Sequence, residues 1–109
     1  MAYDEFLSKR IDELIKGKTG FKRKEMFGGL AYLLNGNMCV GVHKNELIIR
    51  YDPKLTEEIK ADKNVHAFDI TGRPMKGWSL VTTEGVKGDG LKRWFDLSFT
   101  FAKSLPPKK

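Results

Sequence analysis

Arg50, Arg73, Lys76 and Trp78 carry the most unusual local chemistry of the sequence. A guanidinium presents a flat fork of donors that fits a carboxylate or phosphate, and an indole face attracts cations. Brought together, these four side chains would form a cationic, aromatic-edged recess for an anion or an acidic peptide. A plainer reading also stands: Arg50 pairs with Asp52, or lays its stem over apolar surface. The second group is Lys16, Lys18, Lys22, Arg23 and Lys24, five bases in nine residues with no acid among them. They could meet a polyanion or an acidic partner. Equally, they could line an exposed connection and a first strand edge, where lysines discourage edge-to-edge association. Only Phe21 and Phe27 interleave them, which is thin for a platform that stacks single-stranded bases.

The remaining reactive residues form no catalytic set. Cys39 is the sole cysteine, lies inside a strand pattern and adjoins no base, so it reads as a buried thiol. His43 and His66 have no ligand partner at short spacing, and a structural zinc site needs about four protein ligands. Serines 8, 79, 98 and 104 sit in no nucleophile elbow. Phe27-Gly28-Gly29 leads into a strand without a following Gly-Lys-Ser/Thr, which argues against a phosphate loop and for a bulge or close backbone approach. No catalytic residue, metal or cofactor is expected.

The elements that position these side chains are legible as periods. Residues 26–52 read as three antiparallel strands. Asn35-Gly36 forms the first turn, since both central positions need positive φ, and Lys44-Asn45-Glu46 forms the second. Leu30, Tyr32 and Leu34 share a side, as do Met38, Val40 and Val42, and then Leu47, Ile49 and Tyr51. Arg50 falls on the opposite strand face from Ile49 and Tyr51. Before the meander, Leu7, Ile11, Leu14 and Ile15 predict a helix from Tyr3 or Asp4 to Lys16, stopped by Gly17. After it, Asp52 caps and Pro53 starts a short helix through Leu55 and Ile59. Val65–Thr71 and Trp78–Thr83 predict two more strands, joined by a Gly- and Pro-containing loop. Asp89 is the expected cap of a last helix with Leu91, Trp94, Phe95, Phe101, Ala102 and Leu105 on its stripe, ended by Pro106-Pro107. Phe99 falls off that stripe, either exposed or meeting a second subunit.

With 109 residues, the sequence has the size of one domain over 1–109. It is 40% hydrophobic and 31% charged, which excludes a disordered chain. The net charge of +6 divides as +3 in residues 1–50 and +3 in residues 51–109, so neither half is a basic arm. One cysteine forbids an internal disulfide and fits a reducing compartment. MAYDEFLSKR is not a secretory signal, and no stretch approaches the roughly 20 apolar residues of a membrane span. The cytoplasm is the expected location.

MFGGLAYLLNGNMCVGV, then LIIRYDP, TGRPMKGW and SFTFAKSLPPKK, in that order and spacing, resemble the N-terminal domain of TfoX/Sxy competence regulators. The resemblance covers about residues 7–109. It implies an α+β fold: a two-layer sandwich of order α-β-β-β-α-β-β-α with a five-stranded, mainly antiparallel sheet, similar to secretion-chaperone-like domains. It also implies a link to regulation of DNA-uptake genes. Such regulators resemble coactivators of a cyclic-AMP-responsive transcription factor and carry a second, C-terminal domain. The sequence here is expected to supply the first domain alone. The family brings no catalytic residues. Its recognisable positions are Met26, Phe27, Gly28, Gly29, Arg50, Asp52, Pro53, Gly72, Arg73, Pro74, Met75, Gly77 and Trp78.

The expected function is therefore a non-enzymatic, cytoplasmic regulatory or protein-interaction module with a protein partner. The alternatives are direct nucleic-acid binding, and a small-anion binder or enzyme at Arg50, Arg73 and Trp78. A homodimer is compatible with the sequence.

Overall fold

The computed structural model describes residues 4–26, 29–68 and 76–106, with the Met26 side chain left aside. Its elements run α1 (Glu5–Ile15), β1 (Phe21–Met26), β2 (Gly29–Leu34), β3 (Asn37–His43) and β4 (Glu46–Arg50). Then come a 3-10 turn (Pro53–Leu55), α2 (Thr56–Lys60), β5 (Val65–Ala67), β6 (Trp78–Val81), a second 3-10 turn (Glu84–Val86) and α3 (Gly90–Lys103). The strands form one antiparallel sheet in the order β1-β2-β3-β4-β6-β5.

The sheet has six strands where five were expected. The additional one is β1, FKRKEM, drawn from the basic stretch. Lys22 to Glu25 are all exposed, so this edge strand carries no apolar alternation to mark it. Its pairing with β2, Phe21 opposite Leu34 through Met26 opposite Gly29, supplies the regularity instead. The strand expected over Val65–Thr71 ends at Ala67, with Phe68 already outside it, and residues 69–71 lie outside the described residues.

The hairpin chemistry holds. Asn35 and Gly36 take φ of 51° and 86°, and Lys44 takes 57° in the second turn. Gly29 is a close approach, because a Cβ there would collide with the Val42 main-chain oxygen. Asp52 accepts from the Lys54 N–H at 3.0 Å, so the cap precedes Pro53 as expected. Asp89 is different: it occupies the N-cap position of α3 without a side-chain capping bond.

One side of the sheet carries the helices. Leu7 and Ile11 of α1, and Leu91, Trp94, Phe95 and Ala102 of α3, pack on Tyr32, Val40, Val42, Leu47 and Ile49. Tyr32 is anchored twice, donating to the Ser8 carbonyl at 3.0 Å and to Asp12 Oδ1 at 2.9 Å. The opposite side has its own smaller cluster of Ala31, Met38, Ile48, Phe68 and Leu80.

Met38 belongs to that second cluster and not with Val40 and Val42. Tyr32 pairs with Val40 while Leu33 pairs with Met38, so Cys39 is an extra residue in β3. Such a bulge breaks the two-residue period once. Cys39 then joins the helix-side core beside Val40, and Met38 turns to the other face.

Candidate functional site

The bulge shapes the end of the sheet where Arg50 sits. Arg50 is the last residue of β4 and stands opposite Trp78 on β6. Its guanidinium carbon lies 5.0 Å from the Trp78 ring centroid and 5.5 Å from that of Phe101 on α3. Nη1 donates to the Met38 carbonyl at 3.4 Å. The Arg50 main-chain N–H donates to Ser98 Oγ, on α3, at 3.1 Å. One residue is thus held by both layers: its backbone by a buried serine, its side chain by rings from a strand and a helix.

Arg50 does not pair with Asp52, whose carboxylate caps the following turn. Among the described residues no carboxylate comes within ion-pair distance of it. Burial pulls its guanidinium below the ordinary value. A guanidinium has five N–H donors. The single long bond to Met38 leaves most of them uncommitted among the described residues.

Trp78 continues the arrangement. It stacks on Phe68, with centroids 5.7 Å apart and planes 26° apart. It also lines a recess of ≈ 300 Å³ with Thr56, Lys60 and Lys76. Gly77 aligns this corner: its carbonyl accepts from the Tyr51 N–H at 2.9 Å, its N–H donates to Thr56 Oγ1 at 3.2 Å, and its φ of 83° suits glycine. Arg50 and Trp78 are therefore in contact, Lys76 shares the recess with Trp78, and Arg73 lies outside the described residues.

The basic cluster is divided. Arg23 turns to the helix side, 3.6 Å from Asp12 and over the Tyr32 ring at 5.7 Å. Lys22 and Lys24, its neighbours along the strand, point to the opposite face. Lys16 follows the end of α1 and is exposed. Lys18 donates to the Leu14 carbonyl at 3.1 Å and approaches the Phe99 ring at 5.8 Å, with Lys103 at 5.3 Å from the same ring. Phe99 is half-buried and not isolated, since it stacks on Phe21 and Phe95. Its partner Phe21 belongs to the strand that the sequence left hidden.

Phe101 and Ser98 complete the Arg50 site, and sequence reasoning did not single them out for it. A serine on the apolar stripe of an amphipathic helix is the signal that could have drawn attention to Ser98.

The other reactive side chains are spread out. Cys39 is fully buried, and burial pushes its thiol up to about 12. It remains protonated at neutral pH and is a poor nucleophile. His66 Nε2 meets Glu46 Oε2 at 2.6 Å, whereas the buried Nδ1 of His43 has no partner among the described residues. Among the described residues, no three His, Cys, Asp or Glu side chains are grouped to hold a metal ion. Among them, too, no helix is long and apolar enough to cross a membrane.

The family model described as the TfoX N-terminal domain matches residues 13–102. No curated protein and no solved structure matches the chain.

Proposed function

The chain belongs to the TfoX N-terminal domain family, and from that premise we propose that it is a non-enzymatic regulatory domain that binds an acidic segment of a partner protein. The observation that carries this reading is Arg50, bracketed by Trp78 and Phe101 without a carboxylate among the described residues. Contact with two rings restrains the side chain before a ligand arrives, so less side-chain entropy remains to be lost on binding. A carboxylate from a partner would neutralise a cation that the fold has partly removed from water. Lys76 beside Trp78 adds positive charge to the recess, in which Lys60 is paired with Glu57 at 4.0 Å. The family suggests a setting of competence-related regulation, and the cytoplasm is the proposed site of action.

The test is titration with a synthetic glutamate-rich peptide, read by tryptophan emission and repeated on Arg50→Met. Binding that weakens roughly tenfold or more in the variant supports the reading, as loss of a charge-assisted contact requires. Equal binding by the variant would overturn it. So would failure of the peptide to bind while duplex DNA binds with steep salt dependence, which is the signature of phosphate contacts.

A further inference from the structure

We propose that β1 is an acceptor edge that takes up an extended acidic segment of a partner protein as a seventh strand. This rests on reading the domain as a protein-binding one, and adds a different surface and a different mode of contact.

β1 is the terminal strand of the sheet and pairs only with β2 among the described residues. Its six residues extend about 20 Å. The Asn35 N–H donates to the Gly20 carbonyl at 2.9 Å, which sets the phase of the ladder. In an antiparallel pair, hydrogen-bonded and non-hydrogen-bonded positions alternate. Lys22 and Lys24 therefore bond towards β2, while the N–H and C=O groups of Phe21, Arg23 and Glu25 face outward. An added strand would find about six main-chain hydrogen-bonding groups in a row.

Charge selects the occupant. Lys22 and Lys24 are exposed on the face away from the helices, and neither has an ion-pair partner among the described residues. A strand laid along this edge would bring its own side chains opposite them. Lysines there repel a like strand and tolerate a neutral one poorly, whereas alternating acids would be attracted. A second copy centred on Arg23 would set Lys22 against Lys24 and Arg23 against itself. An acidic partner segment is the better complement.

The probe is a short peptide of alternating glutamate and threonine, offered to the full chain. Strand addition slows amide exchange at Phe21, Arg23 and Glu25 and leaves Lys22 and Lys24, already bonded to β2, little changed. Lys22→Glu/Lys24→Glu weakens binding by roughly tenfold or more. A peptide of the same charge, N-methylated at alternate residues, fails to bind the unaltered protein. Equal binding of the methylated peptide would overturn the inference, leaving simple charge attraction. Protection of the same three amides without peptide, growing with protein concentration, would also overturn it in favour of self-pairing. So would an oligonucleotide that binds through Lys22 and Lys24 when the peptide does not. The two readings fail separately, because Arg50 is followed by tryptophan emission and β1 by its own amides.

Discussion

Arg50 and Trp78 face each other across β4 and β6 with guanidinium carbon and indole centroid 5.0 Å apart. The contact joins layers as well as strands, since Phe101 of α3 lies 5.5 Å from the same guanidinium. Phe68, Trp78, Arg50 and Phe101 thus form a chain of contacts from beyond β5 to the last helix. A cation at such a position serves either the fold or a ligand. Its replacement by an uncharged side chain of similar length separates these roles.

Arg50→Met keeps the stem and removes the charge. A partly buried charge without a carboxylate carries a desolvation cost that methionine lacks, while Met retains favourable contact with aromatic rings. Urea denaturation should place Arg50→Met within about 1 kcal/mol of the unaltered protein. Arg50→Ala, which also loses the stem, should cost about 2 kcal/mol. Equal losses in the two variants would assign the charge itself to stability.

Ser98 ties the backbone of the same residue to α3. It is fully buried, and its Oγ accepts the Arg50 N–H at 3.1 Å. Ser98→Ala leaves that donor without its acceptor at the end of β4. The expected loss is about 1–2 kcal/mol, with faster amide exchange at Arg50 than at Ile48 or Ile49. Unchanged exchange at Arg50 would mean that another group satisfies the N–H.

The legible parts of this fold are those with a local chemical cause. Asn35-Gly36 announces its turn through positive φ, Asp52-Pro53 announces a helical start, and the stripe from Leu91 to Ala102 announces α3. β1 stayed hidden because an exposed edge strand has no face that must be apolar. That omission misplaced Phe99, whose partner Phe21 sits on β1. The Cys39 bulge was hidden for another reason. An extra residue in a run as apolar as MCVGV leaves no polar residue out of phase, so Met38 was assigned to the wrong face. For the site, the local sequence suggested Arg50 and Trp78 by residue type. Phe101 joins the site only through the docking of α3, a long-range event; Ser98 carried a faint local signal, a polar residue on an apolar stripe, but nothing in the sequence tied it to Arg50.

The Asn35-Gly36 turn offers a test of register. Gly36 has φ of 86°, a region that costs an L-residue about 1–2 kcal/mol. Gly36→Ala should destabilise the protein by about that amount. Asn35→Gly, at φ 51°, should change stability little. A neutral Gly36→Ala would show that the β2–β3 hairpin tolerates another turn.

Alkaline pH should expose the cost of ionising the helix-side core. The Cys39 thiol is pushed up to about 12 by burial. The Tyr32 phenol is raised first by burial, then by its hydrogen bond to Asp12 and by that carboxylate's charge. Both groups are neutral when protonated and become anions on losing the proton. In the unfolded chain they ionise at ordinary values, about 8.5 for the thiol and about 10 for the phenol. Above about pH 8.5 the unfolded chain therefore releases protons that the native protein retains, and stability falls as pH rises. Each group contributes a slope of up to about 1.4 kcal/mol per pH unit, with the thiol part lost progressively towards pH 12. Below about pH 8 these two groups leave stability flat. Cys39→Ala should remove the thiol part of the alkaline slope and cost about 1 kcal/mol at neutral pH through the small cavity it opens. Urea midpoints measured across the alkaline range for both proteins decide the matter. Parallel curves would mean that the native thiol ionises as readily as the unfolded one, and that the bulge leaves Cys39 open to water.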